Sequence, residues 1–442
     1  MIGEISQRFY RVFFVLMCVA SGIGLLTLIY FNFWFNRLAA VTFLVDFSTF
    51  LLVGFLLLLV IRYTLLIVFA FLQHLERSHE PWHPDEYPLV TVIVPAYNEG
   101  ILITAAVEPL MAMDYPRYEV LVIDDGSSDD TFERALELSR IYGPERLRVI
   151  TQPNGGKAVA LNTGIAAARG ELILCMDGDS VLEPQTIREA VKHFADPGVG
   201  AVGGNVKVIN RVNHLTRLQA LEYIEGLSLV RTAHAFFRRV AVIPGPIGIF
   251  RKSVLEEVGG YQPGTFAEDC ELTLRIMLAG WKIKYEPNSI AWTEAPEALE
   301  ALFKQRYRWA RGILQSLITH KARLLTPFPD PADWAFLWLM VFETMIWPFM
   351  NVFALLFFIN VAFWAGLSNL IVLWWAQLTV LSVVAALFCV AMEQEDMRLT
   401  VYSVFYTVFW VTFMDFTKFF ATLDEVFGVQ MSWRKVERLG RI

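Results

Sequence analysis

Charge is scarce in this chain of 442 residues: 18% are charged and 55% hydrophobic, whereas ordinary soluble domains carry roughly 25% charged residues. With a mean hydropathy of +0.46, that shortage excludes disorder and argues against a purely soluble protein. There is no basic excess either. Lys and Arg number 37 against 44 Asp and Glu, a net charge of −7, so bulk binding of nucleic acid is not expected. Cysteine is rare: Cys18, Cys175, Cys270 and Cys389 are scattered, with neither a disulfide framework nor zinc spacing. A cleavable leader is not expected, because the first apolar run lacks a small-residue cleavage site and a second run follows it.

The apolar residues gather at the two ends. Residues 13–31 and 40–60 form runs long enough to span a bilayer. Arg62 ends the second run, and the apolar stretch Tyr63–Leu72 either extends the span or lies along the surface with Arg62 snorkelling. These runs place an N-terminal membrane region at 1–80. From Pro81 proline, charge and short β-rich runs appear together. Leu89–Val94, Val120–Ile123, Leu147–Ile150 and Leu172–Met176 read as buried parallel strands. Ile101–Met113, Asp130–Ile141 and Lys157–Ala168 read as helices between them. The alternation predicts a doubly wound, Rossmann-like α/β domain over 81–295. A basic, aromatic, amphipathic helix at the membrane surface and a proline-rich linker follow over 296–333. Three apolar runs over 334–423 (Trp334–Trp364, Leu370–Met392 and Leu399–Leu423) and a basic tail over 424–442 complete the chain.

Open α/β sheets bind ligands where strand C-termini open into a crevice. The expected strands run into Pro95-Ala-Tyr-Asn-Glu99, Asp124-Asp-Gly-Ser-Ser-Asp129, Asn154-Gly-Gly-Lys157 and Asp177-Gly-Asp179. One acidic strand end is an ordinary helix cap; several on one edge build a cleft of carboxylates with one lysine. Asp177 and Asp179, one residue apart after a buried strand, can face one small cation, and oxygen-only ligands suit Mg²⁺ or Mn²⁺. Asp-Gly is also a common turn pair, but proximity to Asp125 and Lys157 favours the metal. Gly155-Gly-Lys157 is not a P-loop, lacking the earlier glycine and the following Ser/Thr. A phosphate contact and a solvated loop lysine both remain open for Lys157. Glu268 and Asp269 open a helical pattern, as a favourable N-terminal charge or as a general base. Gln305, Arg308 and Trp309 share one helix face, with forked donors for phosphate and a flat ring for a sugar.

Taken together and in order, these motifs resemble those of membrane-embedded, processive family 2 glycosyltransferases. The matching set is Pro95–Glu99, Asp124–Ser127, Gly156-Lys157, Asp177/Asp179, Glu268/Asp269 and Gln305/Arg308/Trp309. The resemblance implies a GT-A catalytic domain between transmembrane helices, a UDP-sugar donor and an inverting reaction. Donor-binding residues would be Tyr97, Glu99, Asp125, Lys157, Asp177, Asp179 and Arg308. Asp179 with Asp177 would hold Mg²⁺ or Mn²⁺. Asp269 would be the catalytic base, paired with Glu268, and Gln305 and Trp309 would contact the acceptor. Within the family the likeness is nearest to poly-β-1,6-N-acetylglucosamine synthases, through Gly156–Leu161, Cys175–Asp179, Phe250–Ser253 and Glu257–Gly259. Ala267 departs from the Thr usual before Glu-Asp. Cellulose-, chitin- and hyaluronan-type synthases, and non-processive transfer to a lipid acceptor, are the alternatives.

The resemblance also implies a bacterial plasma-membrane protein with a cytosolic catalytic domain, a growing polysaccharide as acceptor, membrane lipids around it and a small membrane subunit as partner. A cytosolic domain after two spans puts the N-terminus inside, in accord with Arg8 and Arg11. Three further spans would then put the basic tail outside, against the positive-inside tendency. The run 399–423, with Asp415 and Lys418, is the one expected not to cross simply. Glu343 in the third run is expected to face a polymer path or to sit at headgroup level. A transporter is disfavoured, since a charged α/β domain interrupts the spans without inverted repeats.

Overall fold

The computed structural model describes residues 37–76, 87–100, 102–327, 330–365 and 368–430. The run 13–31 and the tail cations Arg434, Lys435, Arg438 and Arg441 lie outside these residues. Contacts divide the chain into two units, and the larger, Ile61–Phe353 with Gln377–Ile442, contains the sheet and the residues of the site.

Helix α1, Arg37–Glu76, runs without interruption past Arg62. Tyr63–Leu72 therefore continues the helix. Of the two expected placements this is the extended one, and Arg62 Nη2 lies 2.9 Å from Glu343 Oε1. An internal ion pair removes both charges from the requirement to reach headgroups.

An eight-stranded sheet follows, in the order β3-β2-β1-β4-β7-β6-β8-β5. Strands β1 (Val90–Ala96), β2 (Tyr118–Asp124), β3 (Leu147–Thr151) and β4 (Leu172–Cys175) are mutually parallel where they pair. Their period of two sends alternate side chains to opposite faces. Val92, Val94, Val120, Val122 and Leu174 enter one core, while Ile93, Leu121, Ile123 and Ile173 enter the other. Both faces are apolar because helices cover both: α2 (Thr131–Tyr142) contributes Ala135 and Leu138 to the first core, and α3 (Lys157–Ala167) contributes Ala160, Leu161 and Ile165 to the second. The register pairs Ala96 with Asp124 and Ile93 with Cys175, so the polar ends of β1, β2 and β4 open on one edge.

Beyond β4 the sheet is no longer doubly wound and parallel. Strand β7 (Gly248–Arg251) is antiparallel to β4, and β6 (Val199–Val208) is antiparallel to β7. Strand β8 (Lys282–Thr293) pairs parallel with β6, and β5 (Ser180–Leu182) antiparallel with β8. Glycines hide β6 in the sequence. A Cβ on Gly200 would stand 2.8 Å from Trp281, and one on Gly204 2.6 Å from the Ser289 carbonyl. Close neighbours, rather than alternation, select those residues.

Helices α4 (Glu268–Leu278) and α5 (Leu299–Thr319) follow the strands that flank the site. The basic character of α5 suggested a membrane-surface face, yet Arg306 and Arg311 are buried and pair with Glu222 and Glu425. Among the described residues, Pro331–Leu356 is long and apolar enough to cross a membrane. The next apolar run forms a helix over Ser368–Met392. The last is not one straight helix: Met397–Phe405 and Phe409–Val426 are bent by 65°. Its second limb contains α6 (Thr412–Val426), where Asp415 accepts a hydrogen bond from Asn351.

Candidate functional site

The ends of β1 and β2 are laced together by short polar side chains. Asn98 adopts φ +51°, a conformation Asn tolerates better than most residues. Its Oδ1 accepts from Ser128 N at 2.8 Å, while Asn98 N donates to Ser127 Oγ at 3.0 Å. Glu99 N donates to Thr131 Oγ1 at 2.8 Å, and Gly100 N to Asp129 Oδ2 at 3.1 Å. Tyr97 and Glu99 are thereby fixed at the strand edge, with Tyr97 exposed.

Asp125 is buried and holds the neighbouring loop. Its Oδ1 accepts from Gln152 Nε2 at 2.7 Å and Gly155 N at 2.9 Å, and its Oδ2 accepts from Gly156 N at 2.8 Å. Those bonds set the glycine loop that opens α3 and place Lys157 at its first turn. Gly126 has φ +72°, and a Cβ there would lie 2.8 Å from Asn154 N; both constraints require glycine.

Lys157 gathers the acids of two distant motifs. Its Nζ is 2.7 Å from Asp177 Oδ1 and 2.7 Å from Glu268 Oε1. Burial alone would lower its pKa, but Asp177, Glu268 and Asp269 raise it well above the usual lysine value. Burial likewise opposes ionisation of Glu268, yet Lys157 holds that carboxyl below its ordinary range. Asp269 responds in the opposite sense: burial first, then the charge of Glu268, push it up to about 6. Gly245 N donates to Asp269 Oδ2 at 3.2 Å. A Cβ on Gly245 would stand 2.9 Å from Lys157 Nζ and 3.1 Å from Asp177 Oδ2, so this backbone closes over all three groups. The sequence reading missed Gly245; the flanking Pro244 and Pro246 were the available signal of a rigid turn.

Helix α5 meets the same region, with departures from expectation. Arg308 Nη1 donates to the Phe266 carbonyl at 2.8 Å, and the arginine charge favours ionisation of both Glu268 and Asp269. Gln305 is buried, and its Oε1 accepts no hydrogen bond among the described residues. Trp309 is half-buried, with the Arg306 guanidinium 4.1 Å from its ring centroid.

Asp177 and Asp179 stand on the turn between β4 and β5, Asp179 the more buried. They offer carboxylate oxygen only, a donor set that fits Mg²⁺ or Mn²⁺. Among the described residues no group of three or more His, Cys, Asp or Glu is placed to hold a metal alone. Substrate oxygens and water would therefore complete the shell, as is usual for Mg²⁺.

The family described as "Glycosyltransferase like family 2" matches residues 87–312, slightly more than half of the 442-residue chain. Poly-β-1,6-N-acetyl-D-glucosamine synthase of Staphylococcus aureus (strain COL) is 34% identical over 231 residues, 52% of this chain and 55% of the relative. The synthase of that name from Staphylococcus epidermidis is 31% identical over 224 residues, 50% and 54% of the two chains. The chain thus spans about half the length of the curated relatives it matches. A mannosyltransferase from Pyrobaculum calidifontis, solved with GDP-Man and Mn²⁺, superposes with a TM-score of 0.59 at 22% identity. That alignment covers 86% of this chain and all of the other. The fold is of the GT-A type, and the chain belongs to the family 2 glycosyltransferases.

Proposed function

We propose that this protein is a processive, inverting transferase that adds N-acetylglucosamine from UDP-GlcNAc to a growing β-linked glycan and passes the product across a membrane. The observation that carries this reading is the convergence of Asp177, Glu268 and Asp269 on Lys157 and Gly245 at the strand edge. The relatives named as poly-β-1,6-N-acetyl-D-glucosamine synthases support the choice of sugar and polymer. The apolar helix Pro331–Leu356 and the bent pair after it support a membrane location, with 81–295 as the cytosolic catalytic domain.

In this reading Tyr97, Glu99 and Asp125 frame the nucleoside end of the donor, with Asp125 acting through the loop it holds. Asp177 and Asp179 would hold Mg²⁺ or Mn²⁺, which would supply positive charge to neutralise the leaving diphosphate. Asp269 takes the proton of the acceptor hydroxyl as that oxygen attacks the anomeric carbon. The bond from that carbon to the diphosphate breaks on the opposite face, inverting the centre. Asp269 suits the task because its raised pKa makes it a stronger base than an exposed carboxylate, yet leaves it ionised at neutral pH. Lys157 and Arg308 supply fixed positive charge in a partly buried site, where it needs no reorganisation. Gln305 and Trp309 face the acceptor.

The test offers purified full-length protein UDP-GlcNAc, UDP-glucose and UDP-glucuronate separately, with Mg²⁺ or Mn²⁺, and sizes the radiolabelled product. Long polymer from UDP-GlcNAc alone, cut by a β-1,6-specific hexosaminidase and absent with Asp269→Asn, is expected. A single sugar added to lipid would remove processivity, and polymer from another donor would change the substrate.

A further inference from the structure

Phe266, two residues ahead of α4, is gripped from three directions by one helix. Its carbonyl accepts from Arg308 Nη1 at 2.8 Å, and its N–H donates to Gln315 Oε1 at 3.3 Å. The Arg311 guanidinium lies 5.9 Å from its ring centroid. Beside these contacts α5 presses on Ala267: a Cβ on Gly312 would stand 2.4 Å from Ala267 Cβ and 2.6 Å from Ala267 N. No side chain other than hydrogen fits there. The peptide leading into Glu268 and Asp269 therefore takes its position from α5.

That helix is in turn fixed by the end of α6. Glu425 Oε2 accepts from Arg311 Nε at 2.8 Å and from Gln315 Nε2 at 3.3 Å. Arg311 Nη1 donates to the Val429 carbonyl at 2.9 Å. One step earlier Tyr307 donates a short hydrogen bond to Asp424. The chemistry at Gln315 is directional. A carboxylate only accepts, so Glu425 obliges the amide to present its NH₂ group and to turn its oxygen toward Phe266 N. The same carboxylate aligns Arg311 over the Phe266 ring. One acid on α6 thus orients both side chains that hold the N–H and the ring of Phe266.

We propose that Glu425 and Gln315 are positioning residues for the proton-accepting step: through Phe266 they set the reach of Asp269, which couples the C-terminal helix α6 to catalysis. This rests on Asp269 being the base. Neither residue belongs to a motif that marks the family resemblance, and both lie outside the donor edge of the sheet. In a processive enzyme such coupling would let movement of α6 register at the base between additions. A displacement of about 1 Å in a reacting group costs up to roughly 100-fold in rate, so loosening this support is expected to lower kcat without weakening nucleotide binding.

The experiment uses the full chain in detergent with UDP-GlcNAc and Mn²⁺. It compares Glu425→Gln, Gln315→Glu, the double exchange and Asp269→Asn for kcat, donor KM and the affinity for UDP. We expect kcat to fall about tenfold in each single variant of the pair, with KM and UDP affinity within about twofold of the parent. The double exchange restores the acceptor–donor polarity and is expected to recover most of the loss. UDP affinity serves as the check that each variant is folded. Parental kcat in both single variants, with Asp269→Asn inactive, would overturn the positioning role and leave the base in place. Turnover by Asp269→Asn would overturn the base assignment and this inference with it. Parallel loss of kcat and UDP affinity would reduce the contacts to general structural support and overturn the coupling.

Discussion

Carboxylates cluster at both ends of the parallel strands, Glu119 buried at one and Asp177, Glu268 and Asp269 half-buried at the other, and the two ends compensate them differently. At the N-terminal end Glu119 Oε1 accepts from Thr91 Oγ1 at 2.8 Å and from Arg169 N at 2.9 Å, and its Oε2 accepts from Arg148 Nε at 3.1 Å. One acid there has a full complement of fixed donors. At the C-terminal end Asp177, Glu268 and Asp269 share the ammonium of Lys157, with the Arg308 charge acting on the last two and Gly245 N and Cys270 N donating to Asp269, so three acids face two cations. The first arrangement is electrostatically closed and can only stabilise. The second carries negative charge in excess, which favours a cation, a phosphate-bearing ligand with its metal, or a transferable proton. Burial of acids does not mark a site; incomplete compensation of them does.

The comparison is broken most severely by Asp269→Asn. Removing a general base costs roughly 10²–10⁴ in rate, so sugar transfer is expected to fall at least about 100-fold. Thermal melting should hold or rise, because a buried like charge beside Glu268 disappears. Next in size is Lys157→Met, which leaves three acids without their shared cation. A loss of roughly 10–100-fold in kcat/KM is expected, together with a lower melting temperature, since uncompensated buried charge is strongly destabilising. A variant with parental kinetics would show that Lys157 serves the loop alone.

Acidity probes the excess charge directly. The base must be ionised, and burial, with the charge of Glu268, pushes Asp269 up to about 6. The kcat profile should therefore be flat at neutral pH and fall as pH drops through about 6. In Glu268→Gln the charge that raises Asp269 is gone, so the acid limb should move to lower pH. An unmoved limb would assign it to another group. The control comes from the other strand end. Glu119→Ala should lower stability by roughly 2–4 kcal/mol, the range for breaking a buried, charge-assisted network. It should leave kcat within about twofold in urea-free buffer. At the donor edge Gly126→Ala strains the turn under the Asn154–Lys157 loop and brings a Cβ to 2.8 Å from Asn154 N. A positive-φ penalty of roughly 1–2 kcal/mol should raise donor KM several-fold, read in steady-state kinetics, with kcat little changed.

The parallel half of the sheet was legible because each strand is a short apolar run bounded by turn residues, and the acids after those runs had to emerge together. Lys157 and Asp177 were expected at one edge for that reason, and the structure sets their charged atoms 2.7 Å apart. The antiparallel half was not legible: Gly200 and Gly204 break the alternation of β6, and only Trp281 and Ser289, some 80 residues away in the chain, explain why glycine stands there. Arg62 and Glu343, in apolar runs, and Arg306 and Arg311, on a helix expected at the membrane surface, show no partner in their own stretches of sequence. Each instead has an acidic or basic partner in another element.

What the sequence determined by itself was local and periodic: four buried parallel strands, the helices over them, and an acidic, lysine-bearing edge with a motif order specific enough to name a family. These follow from side-chain alternation and turn chemistry, which act between near neighbours. What only the tertiary structure decided was partnership: Lys157 between Asp177 and Glu268, Gly245 over the site, Asp125 clamping a loop, and Glu425 steadying Phe266 through α5. Those pairings join segments from 20 to 114 residues apart. Long-range contacts depend on how the whole core packs, so no single stretch of sequence encodes them.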